Sequence, residues 1–348
     1  MKAWRVVRYG RPSEALSLDE IEAPEPGPGQ LRIATRATAL NYNEVDGCYG
    51  RYLTVNPPLP YTLGMEAVGV VDAVGAPAHA GAPSLEPWLG RRVALTGAGA
   101  TGAHAERVVG DAAMAFASPD SLGDDEAAAF FFPYHVAGLA LLERAALREG
   151  ETLLVHAAAG GVGSAALLLG RALGARVIAT AGGAEKVAFC RSLGADVAID
   201  YRAEPFDEAV LAATNGRGVD VVCDLVGGEV TQRSLRCTAR GGRVVLAGFS
   251  GGIEEEDRAG LLPRPIVFGN VSLVGVMLAY VPEETPPVAG LGLFPRSVGE
   301  RLQERLVALL DAGAIRPVVG RTASFESLPA ELERTEARQS VGRTILRW

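Results

Sequence analysis

The middle of the chain alternates between short apolar runs and amphipathic stretches. The apolar runs predict strands at 152–156, 176–180, 197–200, 219–224 and 242–246. Between them, apolar residues at the spacing of one helix face predict helices at 163–173, 185–193, 206–213 and 231–239. Because each helix must cross back over the sheet, consecutive strands are expected to run parallel. The pattern predicts an α/β fold with a doubly wound parallel sheet, whose ligand site lies beyond the carboxyl ends of the strands.

The regions on either side of this sheet have a different pattern. The first third is β-rich, with strands predicted at 31–35 and 67–71 between turns rich in proline and glycine, such as 24–29. A helix is predicted from 126 to 148, before the polar turn at 149–151. A chain of 348 residues exceeds what one hydrophobic core usually holds, so we expect two domains.

The overall composition is that of an ordinary globular protein, with 48% hydrophobic and 21% charged residues. The net charge of −8 disfavours nucleic acid and anionic membranes as partners, because both attract a basic surface. We find no apolar run long enough to span a membrane and no secretory signal pattern at the N-terminus. The cysteines Cys48, Cys190, Cys223 and Cys237 are scattered, which indicates reduced thiols in a cytoplasmic protein.

A glycine-rich turn joins the first predicted strand of the parallel sheet to its first helix. It has the form Ala157-x-x-Gly160-x-x-Gly163, with Gly161 and Val162 between the two outer glycines. Gly160 allows backbone N–H groups to approach a pyrophosphate, and Gly163 allows the helix to pack closely on the strand. The alternative is a tight turn without a ligand. The position of the turn at the start of a run of βα units favours a dinucleotide site.

The end of the second strand decides which dinucleotide fits. NAD sites usually carry a carboxylate there for the ribose 2′-hydroxyl, whereas this chain has Gly182 in the segment that follows Thr180. Nothing at this position repels a 2′-phosphate, and Lys186 lies close enough along the chain to pair with one. Tyr201 and Arg202, just after the third strand, are placed to approach the same phosphate. The alternative is that these cations are solvated surface charges. The sequence favours NADPH over NADH.

Several ordered segments resemble the medium-chain dehydrogenase/reductase superfamily, in particular its zinc-free quinone oxidoreductase branch. The matching segments are 39–43, 63–71, 154–163, 224–228, 241–245, 271–276 and 340–346. The resemblance implies a GroES-like catalytic domain built from both chain ends, at 1–127 and 279–348, around a Rossmann NADPH-binding domain at 128–278. It also implies a homodimer, in which the strand around 271–277 extends the sheet across a two-fold axis.

The same resemblance bears on metal binding. Zinc members of the superfamily have a Gly-His-Glu segment and a catalytic cysteine in the preceding loop, whereas this chain has Met65 between Gly64 and Glu66 and no cysteine at 41–44. A thioether is a poor zinc ligand compared with imidazole or thiolate. His79, His104, His135 and His156 are isolated in the sequence. We expect no metal.

The resemblance also supplies candidate site residues. Asn41 is implied to contact the nicotinamide ribose and the substrate, and Tyr49 and Tyr52 lie in the same loop, where a phenol can donate a proton to a developing enolate or quinol. Tyr52 is the preferred donor, and a packing role at the cleft rim is its alternative. Val136 stands where related proteins often have a threonine near the nicotinamide. Further residues expected to line the cofactor cleft or the substrate pocket are Val226, Gly248, Phe249, Ser250, Met277 and Leu278.

Without a metal to polarise an oxygen, the expected chemistry is hydride transfer from NADPH to an electrophilic π-system. The leading hypothesis is a reductase of small quinones or α,β-unsaturated carbonyls. An enoyl-thioester reductase is the alternative, and it needs a basic rim for a coenzyme A or carrier-protein phosphate. Candidates for that rim are Arg51, Arg258, Arg264 and Arg296. A non-catalytic NADPH-binding protein is the third possibility.

Overall fold

The structure is a computed structural model that describes residues 1–51, 57–252 and 260–348. The predicted proton donor Tyr52 and the predicted rim residue Arg258 lie outside the described residues.

The strands are β1 Lys2–Val6, β2 Leu16–Glu20, β3 Gln30–Ala39, β4 Tyr61–Thr62, β5 Glu66–Val74, β6 Arg92–Thr96, β7 Arg107–Asp111, β8 Ala115–Ala117, β9 Thr152–Val155, β10 Arg176–Ala181, β11 Val197–Asp200, β12 Val219–Asp224, β13 Thr238–Leu246, β14 Ser272–Gly275, β15 Tyr280–Val281, β16 Phe294–Pro295, β17 Val319–Ser324 and β18 Arg343–Arg347.

The α-helices lie mostly between the strands of the parallel sheet and in the last part of the chain. They are α1 Pro12–Ala15, α2 Tyr42–Cys48, α3 Asp124–Ala128, α4 Phe131–Gly138, α5 Gly161–Ala172, α6 Ala184–Ser192, α7 Phe206–Ala213, α8 Glu229–Arg236, α9 Pro263–Gly269, α10 Arg296–Asp311 and α11 Leu328–Glu336. Short 3₁₀ turns connect several of the remaining strands. In the part of the chain that the structure describes, no helix has the length and apolarity needed to cross a bilayer.

The six-stranded central sheet has the order β11-β10-β9-β12-β13-β14, and every neighbouring pair is parallel. Along β9, Leu153 and Val155 pack into one hydrophobic cluster and Leu154 packs into another. Since successive side chains of a strand point to opposite faces, this division shows that both faces of the sheet are buried. The predicted doubly wound parallel sheet is confirmed.

A second sheet contains strands from both ends of the chain. Its order is β17-β18-β3-β5-β6-β8, and β7 also pairs with β3. The strand β18 is antiparallel to β3, with Ile345 opposite Ala39. This mixed β-rich unit beside a Rossmann unit is the architecture that the resemblance implies, so the predicted fold class is confirmed. The domain boundaries near 127 and 278 stay a prediction.

The helix predicted at 126–148 is confirmed in part, because the structure interrupts it and ends it at Arg144. The segment forms α3, then α4, then a π-helical turn at Leu139–Arg144. Pro133 lies in the first turn of α4, where its missing N–H is tolerated. In a helix continued from α3, the ring of Pro133 would clash with the carbonyl of Ala129, and the chain therefore interrupts the helix before Phe131.

The four cysteines are buried as free thiols. Burial raises the pKa of Cys48, Cys223 and Cys237 to about 12 and that of Cys190 to about 11. These thiols are therefore protonated near neutral pH, and their lack of disulfide bonds agrees with the prediction of reduced thiols.

Candidate functional site

The glycine turn lies between β9 and α5, as predicted. Ala157 adopts a left-handed conformation with φ 48°, and α5 begins at Gly161. A Cβ atom on Gly163 would lie 2.2 Å from the carbonyl oxygen of Ala157, so only glycine allows the helix to approach the turn this closely. A Cβ atom on Gly160 would meet only that same oxygen, at 3.3 Å. Val162 is half-buried and packs on the core. The turn thus places the first N–H groups of a twelve-residue helix just beyond the carboxyl end of β9.

A segment from the C-terminal part of the chain lies directly on this turn. The backbone N–H of Gly342 donates to the carbonyl oxygen of Ala159 at 2.8 Å, and Gly342 forms a β-bridge with Gly160. The side chain of Arg343 covers Gly161, where an added Cβ atom would lie 3.0 Å from its Cδ. Arg343 is therefore a cation next to the predicted phosphate position. The sequence reasoning missed it as a site residue, although it belongs to the matched segment 340–346.

A cationic cavity of about 460 Å³ opens beyond the end of β10. It is lined by Gly182, Gly183, Ala184, Glu185, Lys186, Arg202, Arg334, Arg338 and Gln339. Tyr201 lies at its edge, since a Cβ atom on Gly182 would be 2.6 Å from the Tyr201 hydroxyl. The structure therefore brings together the predicted residues Gly182, Lys186, Tyr201 and Arg202. Arg334 and Arg338 are additional cations that no local sequence pattern indicated.

The charges around this cavity repel one another. The pKa of Lys186 is lowered by burial and by the positive charges of Arg202 and Arg338. Its Nζ donates to the backbone carbonyl oxygen of Arg338 at 2.7 Å. Asp200 accepts hydrogen bonds from the backbone N–H groups of Gly183 and Arg202, at 2.9 and 3.0 Å, and these bonds lower its pKa. Asp200 therefore fixes the loops at the rim, and the cavity keeps an excess of positive charge that suits an anion.

Asn41 lies in a buried polar group on the other side of the glycine turn. Its Oδ1 accepts a hydrogen bond from Arg343 Nη2 at 2.9 Å, and Arg343 also forms an ion pair with Glu66. Asn41 Nδ2 lies 3.5 Å from Glu66 Oε1. Burial raises the pKa of Glu66 to about 7, although the charge of Arg343 and the hydrogen bond from Asn41 oppose that shift. Arg343 thus connects the glycine turn to Asn41 and orients the side chain of Asn41.

The predicted proton donor Tyr49 already interacts with other side chains of the protein. It follows α2, its hydroxyl hydrogen-bonds to Glu336 on α11, and its ring lies 4.5 Å from the Arg51 guanidinium carbon. Burial and the bond to Glu336 raise its pKa. A phenol held in this way is a poor proton donor to a substrate, and the catalytic role of Tyr49 stays a prediction.

The loops after β12 and β13 meet at the same edge of the parallel sheet. Asp224 Oδ1 accepts hydrogen bonds from the backbone N–H groups of Val226 and Gly227, at 2.9 and 3.0 Å. The N–H and the hydroxyl of Ser250 both donate to the carbonyl oxygen of Leu225. The predicted cleft residues Val226, Gly248 and Ser250 therefore lie together, while Phe249 is 43% exposed. Met277 and Leu278 follow β14 and are partly buried, and Val136 is buried.

The predicted basic rim is wrong for Arg296. Its guanidinium donates to the carbonyl oxygens of Ala112 and Ala113 at 2.8 and 2.7 Å and packs 4.3 Å from the ring of Phe116. The side chain is mostly buried because it holds the start of α10 against the β-rich unit. Arg51 Nε lies 3.5 Å from Asp46 Oδ1, and the side chain of Arg264 is exposed on α9.

At the position where zinc relatives bind their metal ion, this chain offers only weak metal ligands. Met65 occupies the position of their histidine, and its Sδ lies 3.5 Å from Asn43 Nδ2. Within residues 1–51, 57–252 and 260–348, no group of three or more His, Cys, Asp or Glu side chains could hold a metal ion.

Comparison with known proteins covers nearly the whole chain. The model of the alcohol dehydrogenase GroES-like domain matches residues 27–120, and the model named zinc-binding dehydrogenase matches residues 161–291. The quinone oxidoreductase of Sus scrofa is 30% identical over 349 aligned residues, which cover 99% of this chain and 97% of that protein. The crystal structure of Escherichia coli quinone oxidoreductase complexed with NADPH superimposes with a TM-score of 0.83 at 27% identity and covers 100% of both chains.

A second group of relatives consists of much longer proteins. The phthioceranic/hydroxyphthioceranic acid synthase of Mycobacterium tuberculosis is 36% identical over 280 residues. The alignment covers 80% of this chain but only 13% of the synthase. Together with the two-part fold, the glycine turn and the cationic cavity, these similarities place the protein. The chain belongs to the medium-chain dehydrogenase/reductase superfamily, in its zinc-independent quinone oxidoreductase branch.

Proposed function

We propose that the protein is an NADPH-dependent oxidoreductase that reduces a quinone or an α,β-unsaturated carbonyl compound. The observation that carries the proposal is the cationic cavity beyond β10, which has Gly182 where NAD sites have a carboxylate. Lys186, Arg202 and Arg338 surround this cavity and suit a 2′-phosphate. The relatives solved as NADPH complexes support the same cofactor.

The residues present fit the cofactor along its length. The turn at 157–163 leaves room for a pyrophosphate at Gly160, where an added Cβ atom would meet a single protein atom, and Arg343 adds a positive charge there. In the proposed arrangement Asn41, oriented by Arg343, contacts the nicotinamide ribose and the substrate. Val226 and Ser250 border the cleft. When bound, NADPH supplies the hydride.

The donor set of this chain suggests which acceptors suit the site. Since Met65 is a weak metal ligand at the position where zinc relatives have histidine, an acceptor that is itself electrophilic suits the site. Quinones and conjugated carbonyl compounds meet that requirement. The residues around the cleft then have to position the substrate and exclude water.

An enoyl thioester is the second candidate substrate. The observation that favours it is the identity of 36% with the phthioceranic/hydroxyphthioceranic acid synthase and of 35% with a mycocerosic acid synthase-like polyketide synthase. Both values, over the aligned part of this chain, exceed the 30% identity with the quinone oxidoreductase. An enoyl thioester is also an α,β-unsaturated carbonyl compound, so the same hydride transfer would serve it. The loss of Arg296 from the predicted basic rim weakens this candidate.

A parallel assay of three acceptors tests the proposal. Loss of NADPH absorbance is followed with a naphthoquinone, a simple enone and crotonyl-CoA. Reduction of the quinone or the enone supports the proposal, and turnover of crotonyl-CoA alone favours the thioester. No turnover with any acceptor would favour a non-catalytic NADPH-binding protein. Lys186→Ala is expected to weaken NADPH binding by about 10- to 100-fold, as for a lost charge-assisted hydrogen bond, and to leave NADH binding unchanged.

We also propose that the protein is a homodimer, as the resemblance implies. The strand β14 forms an edge of the parallel sheet, and the adjacent helix α9 exposes Val267 and Phe268, at 67% and 81%. Within residues 1–51, 57–252 and 260–348, no strand pairs with the outer edge of β14. Proteins usually cover an open strand edge that lies beside apolar side chains. Light scattering of the wild type and of Phe268→Asp tests this, and a monomeric wild type would refute it. Cytoplasmic localisation stays a prediction.

A further inference from the structure

A carboxylate below Asn41 joins the two segments that carry the proposed site residues. Glu44 lies on α2 and its side chain is completely buried. Its Oε2 accepts a hydrogen bond from the backbone N–H of Asn41 at 3.0 Å, and its Oε1 accepts one from the backbone N–H of Met65 at 3.0 Å. One side chain thus holds the start of α2 against the segment that leads into β5.

The same carboxylate has a third partner. His104 is also completely buried, and its Nε2 lies 3.1 Å from Glu44 Oε2. The other ring nitrogen, Nδ1, lies 2.9 Å from Thr38 Oγ1 on β3. Gly64 packs directly against this segment, because an added Cβ atom would lie 2.3 Å from the backbone nitrogen of His104. The hydrogen bonds that link Thr38, His104 and Glu44 therefore hold the Glu44 carboxylate in place.

The arrangement keeps Glu44 ionised. Burial acts to raise the pKa of Glu44, but attraction to His104 and the hydrogen bonds from His104, Asn41 and Met65 outweigh it and hold the pKa below its usual value. Hydrogen bonds to an ionised acceptor are stronger than those between neutral groups. The carboxylate is thus a rigid connection between backbone segments that are far apart in the sequence.

We propose that Glu44 is the positioning residue of the site, which fixes the backbones of Asn41 and Met65 relative to each other. The proposal rests on the proposed function, because it assigns Asn41 to the nicotinamide and the substrate. In zinc relatives the corresponding loop and the Gly-His-Glu segment both supply metal ligands, so that one metal ion joins them. Here Glu44 makes that connection with two backbone hydrogen bonds.

This role has a consequence for turnover. The backbone of Asn41 is held by Glu44, while its side chain is held by Arg343 and Glu66. A misplacement of about 1 Å in a reacting geometry costs on the order of 100-fold in rate. The hydrogen-bond partners of Glu44 are Asn41, Met65 and His104, none of which belongs to the cationic cavity or to the glycine turn. Loss of the carboxylate should therefore lower kcat much more than it weakens NADPH binding.

The substitution Glu44→Gln tests the proposal with little change in volume. An amide cannot accept all three hydrogen bonds, so at least one donor among Asn41, Met65 and His104 is left without its acceptor. We expect kcat to fall by about 10- to 100-fold, with the NADPH dissociation constant within about threefold of wild type. Amide hydrogen exchange should speed up in peptides covering 39–49 and 61–68 and stay unchanged in 157–163.

Two further variants separate positioning from general stability. Tyr280→Phe removes a hydroxyl that bonds to His135 Nδ1 at 2.9 Å, another completely buried histidine. It should lower stability without lowering kcat or changing exchange at 39–49. Glu44→Asp retains the charge and is expected to recover part of the kcat that Glu44→Gln loses. Thr38→Val, which removes only the bond to His104, gives a milder test of the same effects if Glu44→Gln does not fold.

The possible outcomes distinguish failure of the Glu44 proposal from failure of the proposed function. Wild-type kcat and wild-type exchange in Glu44→Gln would overturn the proposal, as would equal losses of kcat in Glu44→Gln and Tyr280→Phe. If Glu44→Gln does not fold, wild-type kcat and exchange in Thr38→Val would overturn it. A wild-type protein that binds NADPH but reduces no acceptor would instead refute the proposed function. The exchange measurement would then still decide whether Glu44 holds Asn41 and Met65.

Discussion

Replacement of Gly163 by alanine tests the geometry of the glycine turn. The new Cβ atom would lie 2.2 Å from the carbonyl oxygen of Ala157 and 2.7 Å from the Cα of Ala158. Both are backbone atoms, so no side chain can rotate away. Since ordinary contacts of this kind begin at about 3.4 Å, α5 and the turn must separate by roughly 1 Å.

Two effects of opposite sign determine how much Gly163→Ala changes the free energy of unfolding. Forcing a methyl group into a well-packed site costs about 1–3 kcal/mol. Alanine is the better helix former by about 1 kcal/mol. Because the atoms that clash with the new methyl group are backbone atoms of Ala157 and Ala158, the upper part of the first range applies. We expect Gly163→Ala to lower the free energy of unfolding by about 1–2 kcal/mol and to weaken NADPH binding at least tenfold, since the turn is displaced.

Gly160→Ala is the matched control in the same turn. Gly160 has φ −86°, which any residue adopts, and its added Cβ atom would meet only the Ala157 oxygen, at 3.3 Å. Its free energy of unfolding should stay within about 0.5 kcal/mol of wild type. If a pyrophosphate approaches Gly160, NADPH binding still weakens. Denaturant unfolding and NADPH fluorescence titration measure both quantities, and an unfolding free energy of Gly163→Ala equal to wild type would refute the packing argument.

Three further predictions concern charged or titratable groups. Arg338→Ala should weaken NADPH binding about 10- to 100-fold and leave NADH binding unchanged in the same titration, and equal losses for both cofactors would contradict it. Burial lowers the pKa of His135 from 6.5 to about 4, so the contribution of His135 to stability should be full above pH 6.5 and fall by up to about 3 kcal/mol as the pH drops to 4. In urea unfolding, the stability of His135→Phe should fall less than that of wild type over this range, and equal losses would contradict the prediction. Glu66→Ala leaves the buried Arg343 without its carboxylate and should cost about 3–5 kcal/mol of unfolding free energy, whereas Glu66→Gln, which keeps an acceptor, should cost less.

The parallel sheet could be predicted from the sequence almost strand by strand. The predicted strand 197–200 and helix 206–213 have the same bounds as β11 and α7. These elements are read correctly because they are buried on both faces or on one helix face, which leaves a strong local pattern. The helix predicted at 126–148 is interrupted before Phe131, because in a continuous helix the ring of Pro133 would clash with the carbonyl of Ala129. Hydrophobic periodicity alone does not show this break.

The site could be predicted only in part, for a reason of distance along the chain. Lys186 and Arg202 follow strands of the same sheet, and a rule about strand ends places them together. Arg338 reaches the same cavity from a turn far along the chain, where it adopts φ 58°. Glu44 and His104 are paired across 60 positions. No local spacing records such contacts, and the second sheet has to be folded before they exist.

The segment 338–343 links the proposed cofactor site to both units of the fold. The carbonyl oxygen of Arg338 accepts a hydrogen bond from Lys186, and the N–H of Gly342 donates to the glycine turn. A few residues further on, Arg343 reaches Asn41. One short stretch thus touches the proposed 2′-phosphate position, the proposed pyrophosphate position and the residue proposed to contact the nicotinamide ribose. Since this stretch leads into β18, which pairs with β3, a shift of the β-rich unit would move Arg338 and Asn41 together. Binding of the cofactor and placement of the reacting groups are therefore expected to depend on the same contact between the two units.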